Sequence, residues 1–192
     1  TRPYSEEDQT NPLNAYGRSK SAGDRYIIEN ADQYLIFRLA WVYDHAHVNF
    51  PNKILQAAKV KDRLTVVDDQ IGTPTPADFI AKTVYQFVTA KDFGNKPRVN
   101  ALYNLVPNGE ASWFDFAVRL LARADALGFD LRCRAKDVMP INSSDLFQKA
   151  KRPPRAILDN SKIQRELGIS FAAWDSYIDG FLEQMRQCND TV

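Results

Sequence analysis

The chain has 192 residues, 44% of them hydrophobic and 26% charged, and a formal net charge of +1. That is enough chain for one domain or slightly more around a real core, and the near-neutral balance leaves no electrostatic footprint for nucleic acid or an anionic membrane. Cys133 and Cys188 stand far apart without a partner motif and the N-terminus is polar and acidic, so the expectation is a cytoplasmic protein with no disulfide framework, no cysteine-based metal cluster and no membrane span.

Residues 1–12 read as loop, closed by the turn signal Asn11-Pro12. Asn14 or a neighbour caps a helix running to about residue 30, with Tyr26, Ile27 and Ala31 as its apolar face. Gly17 and Gly23 weaken that helix by roughly 1 kcal/mol each against Ala, which implies close approach, of a cofactor at Gly17 and of a packed element at Gly23. The apolar run 34–39 predicts a strand buried on both faces of a parallel sheet. Ligands of open α/β sheets bind beyond the carboxyl ends of strands, so Trp41 is placed either to line a site or to fill the core.

A helix is expected over 49–61, a strand over 64–68, a turn-rich loop over 69–76 and a helix over 77–89, with Thr75 as cap and Pro76 at its first position. A charged connection over 91–100 leads to a strand at 102–106 and a turn at Asn108-Gly109. Ser112 caps a helix that stops before Gly128. A short edge strand within 131–141, a basic cluster of Lys149, Lys151, Arg152 and Arg155, and helices near 161–167 and 174–187 complete the chain. Strands alternating with helices argue for an α/β architecture.

The chemistry concentrates at Tyr16 and Lys20. Four residues apart on a helix, they share one face at about 5–6 Å between Cβ atoms. A free phenol is a poor proton donor at neutral pH, and an adjacent ammonium favours its ionised form, so Tyr16 reads as an acid/base and Lys20 as its tuner. The bland reading of the same spacing is a half-buried tyrosine beside a solvated lysine.

The stretch 12–24, PLNAYGRSKSAGD, resembles the active-site helix of the extended short-chain dehydrogenase/reductase family, written roughly P-x-x-x-Y-G-x-[ST]-K-x-x-G-E. Residues 37–43, Asn49-Phe50, 69–75, 103–105 and 151–153 extend the resemblance to the dTDP-4-dehydrorhamnose reductase branch of that family. The resemblance implies reduction of a 4-keto nucleotide-diphosphate sugar by NADPH or NADH, with Tyr16 protonating the carbonyl oxygen and Lys20 also holding the nicotinamide ribose. It further implies that Leu39, Ala40 and Trp41 line the nicotinamide and sugar, and that Asn49, Gln70 and Gly72 line the nucleotide-sugar pocket. Arg152 is a candidate for the diphosphate, since a guanidinium matches phosphate oxygens bidentately, or else part of a solvated basic patch. Arg38 reads as a structural ion-pair partner.

Two departures stand out. Leu39 and Ala40 occupy positions where the branch usually carries a hydroxyl residue, which removes a polar contact to the nicotinamide amide. None of the eight glycines forms the G-x-G-x-x-G turn that a dinucleotide fold needs near the pyrophosphate. The expectation is therefore the C-terminal part of a reductase: a partial Rossmann-like, doubly wound parallel sheet with a small α/β substrate-binding domain. Residues 1–105 would belong to the Rossmann-like half, interleaved with substrate-binding segments, and 106–192 to a mostly helical substrate-binding portion. A missing N-terminal half, or a homologous subunit in a homodimer, would cover the apolar edge of the strand at 34–39, and the isolated chain is expected to be unstable or self-associated. The alternatives are a non-catalytic regulatory or binding subunit related to these reductases, and a reductase or epimerase acting on another nucleotide sugar. Metal dependence stays open.

Overall fold

In the computed structural model, residues 2–89, 100–146 and 150–189 are described; the connection at 91–99 and Lys149 lie outside them. Helix α1 spans Ala15–Asn30. The Asn14 side chain accepts the Gly17 amide at 2.8 Å, satisfying one of the four orphan donors of the first turn. Contrary to the expected apolar face, α1 has no buried residue: Tyr26 is 68% and Ile27 43% exposed. The helix is tied to the following strand through Asp24, whose Oδ2 accepts from Arg38 Nε at 3.0 Å, and its apolar stripe reaches no core.

Strand β1 (Tyr34–Arg38) runs parallel to β6 (Asn100–Asn104), with Tyr34 opposite Asn100 and Arg38 opposite Asn104. Of β1 only Ile36 is fully buried, so the doubly buried strand expected here is half covered. Among the described residues β6 is its one sheet neighbour, and a strand with a single neighbour keeps an open side. β6 begins and ends earlier than the sequence pattern suggests. Leu105 and Val106 follow it as buried residues, and the Leu105 amide donates to the Arg38 carbonyl at 2.8 Å.

Strand β2 (Val42–Tyr43) pairs in parallel with β5 (Thr75–Pro76), so Thr75 and Pro76 are strand residues rather than a helix start. The Thr75 hydroxyl donates to the Thr73 carbonyl instead of capping α3 (Ala77–Thr89). Helix α2 covers Phe50–Val60. β3 (Leu64–Val67) pairs in parallel with β8 (Val138–Ile141), which locates the short strand expected within 131–141. β4 (Ile71–Gly72) lies antiparallel to β7 (Ala111–Ser112).

Helix α4 (Trp113–Ala126) starts at a reciprocal capping box, in which Asp115 N donates to Ser112 Oγ and Ser112 N to the Asp115 carboxylate, both at 2.9 Å. It ends before Gly128, whose φ of 78° is open to a glycine without strain. Helices α5 (Ser161–Leu167) and α6 (Ile178–Asn189) close the chain.

Two apolar clusters hold these elements. One joins Leu55 and Ala58 of α2, Val66 of β3, Phe116, Leu120 and Leu121 of α4, and Leu182 of α6. The other joins Phe79 and Phe87 of α3 to Tyr103, Leu105, Ile163 and Phe171. A third tie is polar: the buried Asn104 amide donates to the carbonyls of Tyr4 at 2.9 Å and Asp159 at 3.0 Å, holding the N-terminal segment against the approach to α5.

Candidate active site

Tyr16 lies in the first turn of α1, two residues beyond the cap, and is 72% exposed. Lys20 Nζ sits 5.7 Å from the centroid of its ring, so the two side chains expected to act together do share one face of the helix. At Gly17 between them a Cβ would stand 3.1 Å from Pro12 Cβ, a tight contact to which the Pro12 segment would have to yield by a few tenths of an ångström. At Gly23 a Cβ would meet nothing within 4 Å, so none of the described residues supplies the packed element expected there.

The chain leaving β1 passes through Leu39, which is exposed, and Ala40, which is partly covered, into Trp41. Trp41 has φ 43°, the left-handed region that costs a bulky residue on the order of 1–3 kcal/mol. Its carbonyl is held by the Thr75 amide at 3.1 Å, and its indole stacks on that of Trp113, with ring centroids 3.6 Å apart and planes 7° from parallel. Gly72 lies against the same indole: a Cβ there would come within 2.5 Å of Trp41 Cε2. Gly72 thus serves the tryptophan, and side chains larger than hydrogen do not fit.

Asn49 is the cap of α2. Its Oδ1 accepts the Asn52 amide at 3.3 Å and its Nδ2 donates to the Asp44 carbonyl at 2.6 Å, so both ends of the side-chain amide are engaged in the loop. Burial would raise the Asp44 pKa, but hydrogen bonds from the His47 amide, the His47 ring and the Ala46 amide outweigh it and hold the carboxyl below its usual range. Gln70 is buried. Arg152 is exposed and makes no ion pair among the described residues, whereas Arg155 pairs with Glu110 at 2.8 Å.

Tyr16 and Trp41 belong to separate groups, and one stretch joins them. Asn14 Nδ2 donates to the Lys151 carbonyl at 2.9 Å. Three residues further on, the Ile71 amide donates to the Pro154 carbonyl and the Ala156 amide to the Ile71 carbonyl, each at 2.8 Å. Arg152 is therefore carried between the start of the Tyr16 helix and the β4 strand that holds Gly72. The surface so formed is open. A cavity of about 250 Å³ lies elsewhere, lined by Lys59, Gly128, Phe129, Asp130 and Arg186, and includes none of the candidate residues.

Sequence reasoning missed Trp113 and the second bond of Asn14. The Ser112-x-x-Asp115 box marks Trp113 as a first-turn residue, but no local signal gives its partner across the fold. Among the described residues no group of three His, Cys, Asp or Glu side chains could hold a metal, and no helix is long and apolar enough to cross a membrane.

An α/β chain with helix α1 beside a parallel strand pair has the fold of known sugar-nucleotide reductases, as comparison with known proteins shows. Residues 1–187 match the RmlD substrate binding domain, and the chain belongs to that family. It is similar to the dTDP-4-dehydrorhamnose reductase of Salmonella typhimurium, at 33% identity over 183 residues, covering 95% of this chain and 60% of the relative. The crystal structure of a dTDP-4-dehydrorhamnose reductase from Clostridium acetobutylicum superposes with a TM-score of 0.81 at 27% identity, over 97% of this chain and 61% of that one. A Bacillus anthracis dTDP-4-dehydrorhamnose reductase in complex with NADP has the same fold, with a TM-score of 0.81 at 24% identity, over 95% of this chain and 59% of that one. The chain thus spans about 60% of the length of the curated relatives it matches.

Proposed function

We propose that this chain carries the proton-donating and sugar-binding part of a dTDP-4-dehydrorhamnose reductase. The observation that carries the reading is the arrangement just described: an exposed tyrosine with a lysine over its ring, and an arginine with no ion-pair partner among the described residues, next to the Lys151 carbonyl that Asn14 holds beside the same helix. Family membership and the names of the relatives support it.

The residues present fit one side of a nicotinamide cofactor. Leu39 and Ala40 offer an uncharged surface at the carboxyl end of β1, where ligands of such sheets lie, and Lys20 Nζ is free of any carboxylate partner among the described residues. NADPH or NADH supplies the hydride when bound. Tyr16 Oη donates its proton to the C4 carbonyl oxygen of the sugar as the carbon is reduced, and the phenolate left behind lies close to the Lys20 ammonium. Trp41 forms a wall for the sugar, with Gly72 behind it, and Gln70 belongs to the same side. Asn49 acts through the loop it closes. Arg152 takes the diphosphate, for which its planar, exposed fork is suited. Soluble nucleotide-sugar chemistry of this kind places the protein in the cytoplasm.

The test is NADPH and NADH oxidation with dTDP-4-dehydrorhamnose, by the chain alone and by the chain mixed with a polypeptide bearing a Gly-rich dinucleotide-binding half. Turnover that falls roughly 10²–10⁴-fold in Tyr16→Phe supports the proton-donor role. Turnover unchanged by Tyr16→Phe overturns it, and binding of that polypeptide without turnover in the mixture replaces the reductase with a non-catalytic binding subunit.

A further inference from the structure

Trp41 is restricted at its backbone, where the Thr75 amide holds its carbonyl, and at its indole, by Gly72 against Cε2 and by the Trp113 ring stacked almost parallel at 3.6 Å. Trp113 is in turn packed by Phe50, with centroids 4.5 Å apart, and Phe50 by Phe116, which is 1% exposed, at 5.6 Å. A continuous column of rings therefore connects the exposed end of β1 to the main core. Trp113 is also fixed from its own backbone, being the first residue of α4, directly after the cap Ser112 and within the capping box.

We propose that Trp113 is a positioning residue, which holds the Trp41 indole in a single orientation at the carboxyl end of β1 and so presents a fixed aromatic wall to the sugar nucleotide. Without the second ring, Trp41 keeps its left-handed backbone but loses the surface that selects one rotamer, and the near-parallel stack of the two indoles is the contact that makes the selection. The inference rests on the functional reading above only for the nature of the ligand.

The chain has three tryptophans, and in a Trp174→Phe background only Trp41 and Trp113 remain. The coupled indoles are expected to give an exciton couplet in circular dichroism that disappears in Trp113→Leu, while Trp41 emission becomes more accessible to acrylamide. Binding of dTDP-glucose, measured by calorimetry, is expected to weaken roughly tenfold in Trp113→Leu and to recover in Trp113→Tyr, which restores a stacking ring. Trp113→His serves the same comparison should the leucine variant fail to melt cooperatively. The absence of a couplet with both tryptophans in place, or unchanged Trp41 quenching in a cooperatively folded Trp113 variant, overturns the inference. A chain that shows the couplet and its loss but binds no dTDP-glucose upholds the positioning of Trp41 and refutes the functional reading.

Discussion

The side-chain amide of Asn14 makes two bonds of different range: its Oδ1 receives the amide of Gly17 within the first turn of α1, and its Nδ2 donates to the carbonyl of Lys151. One residue thus caps the helix that bears Tyr16 and fastens to it the stretch that bears Arg152. The two functions use different atoms and can be separated.

Asn14→Asp keeps the acceptor and adds a negative charge at the helix N-terminus, which the macrodipole favours, but it has no donor for Lys151. Helix content and melting temperature are expected to hold, while trypsin cuts the Lys151–Arg152 bond faster than in the parent chain. Asn14→Ala loses both bonds and is expected to cost about 1 kcal/mol through the cap alone. Equal cleavage rates in Asn14→Asp and the parent would remove the fastening role.

Gly72→Ala places a methyl where Trp41 Cε2 stands 2.5 Å away, with Nε1 at 2.7 Å, so either the strand or the indole must move. Overpacking of this kind typically costs about 1–3 kcal/mol. Urea denaturation is expected to show that loss together with a shift in tryptophan emission; retention of both parental values would mean that the indole yields freely.

The N-terminal segment responds to acid. Asp8 is pulled down to about 2 by its side-chain bonds to Arg2, with the Ser5 amide contributing. Its folded pKa lies below the ordinary carboxylate value, so the interaction is fully present above about pH 4 and is lost as pH falls toward 2. Chemical shifts of Ser5 and Asp8 followed by NMR should move in that interval, and movement centred near pH 4 would show that the Arg2 contact does not persist in solution.

α1 carries apolar side chains with no cover among the described residues: Tyr26, Ile27 and Ile28 are 68%, 43% and 42% exposed. Sedimentation velocity is expected to show association that rises with concentration, and Tyr26→Lys with Ile27→Lys should suppress it while changing stability by less than about 0.5 kcal/mol, as for other exposed positions. A parent chain that stays monomeric at high concentration would contradict this.

Much of this protein was legible in the sequence because much of it is local. The cap at Asn14, the i,i+4 placement of Tyr16 and Lys20, the Ser112 box and the stop at Gly128 involve bonds across a few residues, and residue type at fixed spacing is sufficient to state them. The Asp24–Arg38 pair bears out a reading of Arg38 that needed only the charge. What failed was burial. A run such as 34–38 carries its apolarity wherever it lies, and whether both faces are covered depends on strands elsewhere in the fold. The Trp41–Trp113 stack, the use of Gly72 to admit an indole, and the stretch 151–156 that joins the tyrosine to the tryptophan side were decided only by the tertiary structure. Their partners lie tens of residues apart, and chain spacing says nothing about a contact that exists only after the sheet pairs have closed.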